Sequence, residues 1–214
     1  MKTNNVTIID YGVGNLLSVK RGIEYFGAEV VVSSNPDVIL SSERVILPGV
    51  GAFSNGMKEL EKTGLDTVVK KVAEKGIPLL GICLGMQMLF DESEEFGLTN
   101  GLGLIEGKIV KIPTTNKDGK LVKIPHIGWN SLDRSESISW EDTILKNNNK
   151  GDEMYFVHSF MAIPKNKDNL ISFSTYQDIQ ISSVVQCKNI MGCQFHPEKS
   201  GDFGLKVLQR FLDL

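Results

Sequence analysis

The 214 residues of this chain are enough for one large α/β domain with a buried core, expected to span residues 1–214. With 41% hydrophobic and 23% charged residues the composition argues against disorder. The formal net charge of -3 provides no electrostatic basis for holding nucleic acid or an anionic membrane.

Met1 to Asn5 lead directly into Val6-Thr7-Ile8-Ile9-Asp10, without the apolar stretch and cleavage site of a secretory leader. No segment approaches the ~18 consecutive apolar residues of a membrane span. The expected location is cytoplasmic. Val6 to Tyr11 opens a first strand, and Asn15 stands where it could cap a helix carrying Leu16, Val19, Ile23 and Phe26 at helical spacing, with Gly27 placed to end it. Glu29 to Ser33 and Arg44 to Leu47 are the next strands. The second of these runs into a Pro48-Gly49-Val50-Gly51 turn, after which Met57, Leu60, Val68, Val69 and Val72 mark one or two helices closed by Gly76. Ile77 to Ile82 is a buried-type strand, and Gly85 to Phe90 reads as a helix. This alternation predicts βαβ units and a parallel sheet.

The second half holds extended runs at Ile109 to Ile112, Met154 to Phe160, Leu170 to Tyr176, Ile181 to Cys187 and Ile190 to Phe195, which points to a more antiparallel region. Lys188-Asn189 should turn a hairpin between the last two. Val207, Leu208, Phe211 and Leu212 share one face of a final helix. Polar stretches at 114–120, 146–152 and 165–169 are surface loops. The fold class is therefore α/β, with a mixed, largely parallel sheet flanked by helices.

Three cysteines, Cys83, Cys187 and Cys193, are an odd set without metal-ligand spacing and read as free thiols. Of these, Cys83 follows an apolar strand within Gly81-Ile82-Cys83-Leu84-Gly85 and precedes a helix pattern, the cysteine form of a nucleophile elbow. A thiol at a helix N-terminus is biased toward thiolate, and the N–H of Leu84 is placed to bind an oxyanion. A buried core cysteine is the plainer alternative, and it is the reading for Cys187 and Cys193. Of His126, His158 and His196, the best base is His196, in Gln194-Phe195-His196-Pro197-Glu198. Residues two apart in an extended segment face the same way, so Glu198 could orient its ring and complete a Cys-His-Glu relay. The turn at Pro48 to Gly51 could offer a second oxyanion N–H. Gly12 and Gly14 do not make a dinucleotide fingerprint, because Leu17 occupies the third glycine position and no acidic ribose ligand follows the second strand.

The paired segments Gly81-Ile82-Cys83-Leu84-Gly85-Met86-Gln87 and Phe195-His196-Pro197-Glu198 resemble the class I (triad) glutamine amidotransferases, whose fold is flavodoxin-like, and the resemblance spans nearly the whole chain. Asp10 to Asn15, Pro48 to Phe53, His126-Ile127-Gly128-Trp129-Asn130, Tyr155 to Ser159 and Lys199-Ser200 are similar, within that family, to the glutaminase subunits of histidine biosynthesis. The resemblance implies that Cys83 is acylated by glutamine, that His196 shuttles protons and that Glu198 orients it. It places Gly51, Gln87, Glu95, Ser159 and Phe160 around the substrate, and the backbone N–H groups of Val50 and Leu84 in the oxyanion hole. Trp129, Tyr155 and Lys199 would face a partner, a (β/α)8-barrel cyclase subunit forming a heterodimer and using the ammonia to make imidazole glycerol phosphate and AICAR. No metal or organic cofactor is implied. Leu17 departs from the arginine common in these subunits. Alternatives are a paralogue feeding a sugar-amidating enzyme of surface-polysaccharide synthesis, an inactive regulatory binding module, or a cysteine peptidase.

Overall fold

The computed structural model describes residues 5–135 and 138–214. The reading of Met1 to Asn4 as free of a leader lies outside these residues. In chain order the first half comprises β1 (Asn5–Ile9), α1 (Leu16–Glu24), β2 (Glu29–Ser33), α2 (Pro36–Leu40), β3 (Arg44–Leu47), α3 (Phe53–Thr63), α4 (Leu65–Glu74), β4 (Leu79–Ile82) and α5 (Leu84–Met88). The rest adds β5 (Phe90–Ser93), β6 (Thr99–Asn100), β7 (Ile105–Lys111), β8 (His126–Ser131), β9 (Asp133–Arg134), β10 (Glu153–His158), β11 (Phe160–Pro164), β12 (Leu170–Tyr176), β13 (Ile179–Cys187), β14 (Ile190–Cys193) and α6 (Gly201–Leu212).

One eight-stranded sheet, ordered β2-β1-β3-β4-β14-β13-β12-β9, organises the molecule. Strands β2 through β14 run parallel, and β13, β12 and β9 add on antiparallel. The alternation of strand side chains divides the core in two. Ile8, Ile46, Leu80 and Ile82 face α1 and α6, where Val19, Ile23, Val207, Leu208 and Phe211 meet them. Ile9, Val45, Leu47 and Leu79 face the other way, onto Phe53, Met57 and Leu60 of α3 and Val68, Val69 and Val72 of α4. Strands buried on both faces read as continuous apolar runs, which is why β1, β3 and β4 were visible in the sequence.

Several local expectations change. Asn15 occupies the N-cap position of α1 but its side chain makes no capping bond. Gly64, left-handed at φ 71, divides the region after β3 into two helices. Helix α2 was not foreseen, although Asn35, whose side chain accepts the Asp37 N–H, followed by Pro36 at the first helical position, is a helix-start signal. The helix after Cys83 stops at Met88, and fully buried Phe90 instead starts β5, paired with Ile105. Tertiary pairing overrides local helical spacing there. Lys188 and Asn189 do turn the β13–β14 hairpin, which pairs Cys187 with Ile190.

Candidate active site

The loops at the carboxyl ends of β3, β4 and β14 converge, as expected of ligand sites in open α/β sheets. They form a cleft of about 330 Å³ lined by Val50, Gly51, Cys83, Leu84, Gln87, Glu95, Pro125, Val157, His158, Ser159, Phe160 and His196. Cys83 sits between β4 and α5 with φ 54 and ψ -109, torsions that cost an L-residue roughly 1–3 kcal/mol. Its N–H donates to the Cys193 carbonyl at 2.8 Å and its carbonyl accepts the Gln87 N–H at 3.1 Å, which pins the turn from both sides. The flanking glycines supply room, not torsion. A Cβ on Gly85 would stand 1.8 Å from the Leu47 carbonyl oxygen, and one on Gly81 would stand 2.7 Å from the Met86 nitrogen. With only five residues, α5 is too short to present a long helix dipole to Cys83.

His196 is buried, and its Nδ1 lies 2.8 Å from Glu198 Oε1, with the Glu198 side chain almost fully buried as well. Alternation along a strand is not what brings them together: β14 ends at Cys193 and Pro197–Lys199 form a 3-10 turn. Burial alone would lower the pKa of His196, but the Cys83 sulfur and the Glu198 carboxylate together raise it to about 9. The influence of Cys83 is exerted without a formal hydrogen bond, because His196 Nε2 is buried with no hydrogen-bond partner among the described residues. A protonated imidazole between a sulfur and a carboxylate, with one N–H uncommitted, is equipped to deliver a proton into the cleft.

One of the two expected oxyanion donors is already engaged. The Leu84 N–H, read from the sequence as available, donates to the Gly49 carbonyl at 3.3 Å. Gly49 is wedged, since a Cβ there would lie 2.7 Å from Tyr11 Oη and 3.0 Å from Gly85 N. Tyr11 in turn donates to the Pro48 carbonyl at 2.7 Å, and its pKa is raised by burial and by Cys83. Gly51 takes φ 96. The peptide between Gly49 and Val50 is thus held with its oxygen on the Leu84 N–H.

Gln87 donates to the Phe160 carbonyl at 3.1 Å and to Gln194 Oε1 at 3.0 Å. Glu95 accepts the Phe53 N–H at 2.6 Å, and Ser159 and Phe160 also line the cleft. His158 also lines the cleft, but both its nitrogens are committed: Nδ1 donates to the Phe160 carbonyl at 2.8 Å and Nε2 lies 3.0 Å from His126 Nδ1. Burial lowers the pKa of His158 to about 3 and that of His126 to about 4, so both are neutral. Neither competes with His196 as a base. Cys187 and Cys193 are free thiols outside the cleft lining, and burial pushes the Cys193 thiol well up.

Trp129 and Tyr155 come together on a strand pair whose Val157 lines the cleft. Strands β8 and β10 pair Trp129 with Tyr155 and Ile127 with Val157. Alternation turns these four outward and His126, Phe156 and His158 inward. Ile127 and Trp129 are more than half exposed, Tyr155 packs edge-on to Trp129 at 6.0 Å, and Lys199 is exposed one residue beyond Glu198. The sequence reading missed Ile127 and Val157 on this face, which period-two alternation from Trp129 and Tyr155 would have found. It also assigned nothing to Gln194, two residues before His196.

Among the described residues, no group of three or more His, Cys, Asp or Glu side chains is placed to hold a metal ion, and no helix is long and apolar enough to cross a membrane.

An elbow cysteine and a His-Glu pair on this sheet define a class, and the class-I glutamine amidotransferase family profile matches residues 7–214. The chain belongs to that family. It is 51% identical over 212 residues to imidazole glycerol phosphate synthase subunit HisH 1 of Legionella pneumophila (strain Lens), covering 99% of this chain and 100% of the relative. It is 44% identical over 209 residues to subunit HisH of Geobacillus sp. (strain WCH70), covering 98% and 96%. Among solved structures, a glutamine amidotransferase aligns with a TM-score of 0.71 at 17% identity over 98% of this chain and 99% of that one. PurLQS from Thermotoga maritima aligns at 0.68 and 22%, over 98% and 97%. At these identities the two structures speak for the fold alone.

Proposed function

We propose that the chain, as one amidotransferase domain, is the cytoplasmic glutaminase subunit of imidazole glycerol phosphate synthase. It would hydrolyse glutamine to glutamate and deliver the ammonia to a HisF-like (β/α)8 cyclase in histidine biosynthesis. The observation that carries the chemistry is the Cys83 elbow facing a His196–Glu198 pair, 2.8 Å apart, in one cleft. The pathway rests on relatives that are about half identical over full length and bear that name.

The Cys83 thiolate attacks the side-chain carbonyl carbon of glutamine, and the carbonyl electrons move onto oxygen. His196 gives its Nε2 proton to the departing nitrogen, the C–N bond breaks, and ammonia leaves a γ-glutamyl thioester on Cys83. Neutral His196 then takes a proton from water, whose oxygen attacks the thioester carbon. The C–S bond breaks, glutamate departs, and the thiolate–imidazolium pair is restored. Glu198 stabilises the imidazolium throughout. Gln87, Glu95, Gly51, Ser159 and Phe160 surround a ligand of amino-acid size.

Each tetrahedral intermediate needs an oxyanion hole, and the Gly49 carbonyl now fills it. Rotating the Gly49–Val50 peptide would withdraw that oxygen, release the Leu84 N–H and aim the Val50 N–H inward. One such donor is worth roughly 10²–10³ in rate. The exposed face of Ile127, Trp129, Tyr155 and Val157, continuous with the cleft rim and flanked by Lys199, supports docking of the cyclase there. Reconstitution tests the whole reading. Cys83→Ala should abolish glutamine-dependent synthesis by the complex while synthesis from added ammonium salts persists. Loss of both, in a complex that still assembles, would contradict it.

A further inference from the structure

Gln194 is completely buried, and its Nε2 lies 3.8 Å from Cys83 Sγ. Its orientation is forced by its neighbours. The Phe160 carbonyl can only accept, so the Gln87 side-chain atom 3.1 Å from it is the nitrogen. The second hydrogen of that NH2 group goes to the Gln194 atom at 3.0 Å, which must then be oxygen. The Gln194 nitrogen is left facing sulfur. His158 Nδ1, the other donor to the Phe160 carbonyl, occupies that oxygen's remaining lone pair and holds the first link in place. The backbone N–H of Gln194 is fixed on the Ser183 carbonyl at 2.9 Å.

We propose that Gln194 is a further catalytic residue, its carboxamide N–H held on the Cys83 sulfur by the chain Phe160 carbonyl, Gln87, Gln194. This rests on Cys83 being the nucleophile. The N–H stabilises sulfur when it is negative and little when it is a thioester, so its main effect is on the thiolate as resting state and as the group expelled when water attacks. His196 Nε2, which holds no hydrogen bond at rest among the described residues, gives up its proton during the reaction, whereas the Gln194 amide keeps its own and stays on the sulfur. This leaves Gln87 Oε1 as the free acceptor toward the cleft.

The test is alkylation of Cys83 by iodoacetamide across pH, quantified on the Cys83 peptide, in wild type, Gln194→Glu and Gln194→Leu. Gln194→Glu keeps the size and still accepts from Gln87, but presents an oxygen to the sulfur. It should alkylate about tenfold more slowly near neutral pH, with a profile moved to higher pH, while its thermal unfolding stays cooperative. Gln194→Leu should move in the same direction by less. Because a carboxylate beside the sulfur shifts the profile by its charge alone, the neutral Gln194→Leu variant decides between the roles: loss of packing alone would lower its stability and leave its pH profile unmoved. An unchanged pH profile in Gln194→Leu, with normal wild-type labelling, would overturn the proposal alone. Labelling of wild type at Cys187 or Cys193 with Cys83 untouched would overturn the nucleophile reading and this proposal with it.

Discussion

His196 receives its chemistry from two neighbours of opposite kinds, and the neighbours can be removed one at a time. Without the Cys83 sulfur, the His196 pKa of about 9 should fall, and proton NMR of the ring in Cys83→Ala reads this directly. His196→Ala should cost as much glutaminase activity as loss of Cys83, because members of one relay fail together. Glu198→Gln should cost less: it retains an acceptor for Nδ1 but not the charge. A His158→Ala protein that folds and is as inactive as His196→Ala would point to a different base. The neutral pair His126 and His158 makes a separate, structural prediction. Their folded pKa values, about 4 and about 3, lie below the ordinary 6.5, so the folded state binds fewer protons than the unfolded. Their contribution is full above about pH 6.5 and is lost as pH falls toward 4 and then 3. Urea unfolding at stepped pH should show this decline, and an imidazole of either residue titrating near 6.5 in the folded protein would refute it.

At the scale of elements, the strand-elbow-helix unit of β4 and α5 works because three backbones approach each other closely. Gly85 sits against the Leu47 carbonyl with no flexible side chain to yield, whereas Gly76, at φ 73 after α4, has open space around it. Gly85→Ala should therefore destabilise the protein by about 1–3 kcal/mol or more through overpacking. Gly76→Ala should cost about 1–2 kcal/mol, from left-handed torsion alone. Equilibrium denaturation of both gives the comparison, and equal losses would mean the approach at Gly85 relaxes freely. The glutaminase activity of Gly85→Ala should also fall, since the displaced β3 loop carries Gly49 and Val50.

For the whole molecule, the proposed docking of the cyclase on the exposed apolar face would couple that face to the Gly49–Val50 peptide. The isolated chain should be a poor glutaminase, more active when docked to the cyclase and most active when the cyclase holds its substrate. Lys199 is exposed and adjacent to Glu198, and under the proposed docking it would carry part of that signal, so Lys199→Ala should weaken the stimulation while the protein stays folded. Glutamate release by the chain alone, with cyclase, and with cyclase plus substrate analogue measures it. Equal rates in all three would eliminate the switch.

Local chemistry made much of this legible before any coordinates. Apolar runs marked β1, β3 and β4, because strands buried on both faces have no polar side to show. Gly-x-Cys-x-Gly and the His196–Glu198 spacing marked the candidate site, because those residue types in that order are costly unless used. What the sequence could not decide is where each lone pair goes. The Leu84 N–H is committed to a carbonyl 35 residues earlier in the chain, Phe90 leaves a helix to pair with Ile105, and Gln194 meets a sulfur 111 residues away. Such partners are set by how the sheet stacks its loops, since a hydrogen bond depends on distance and direction in space, and neither is written in the order of residues.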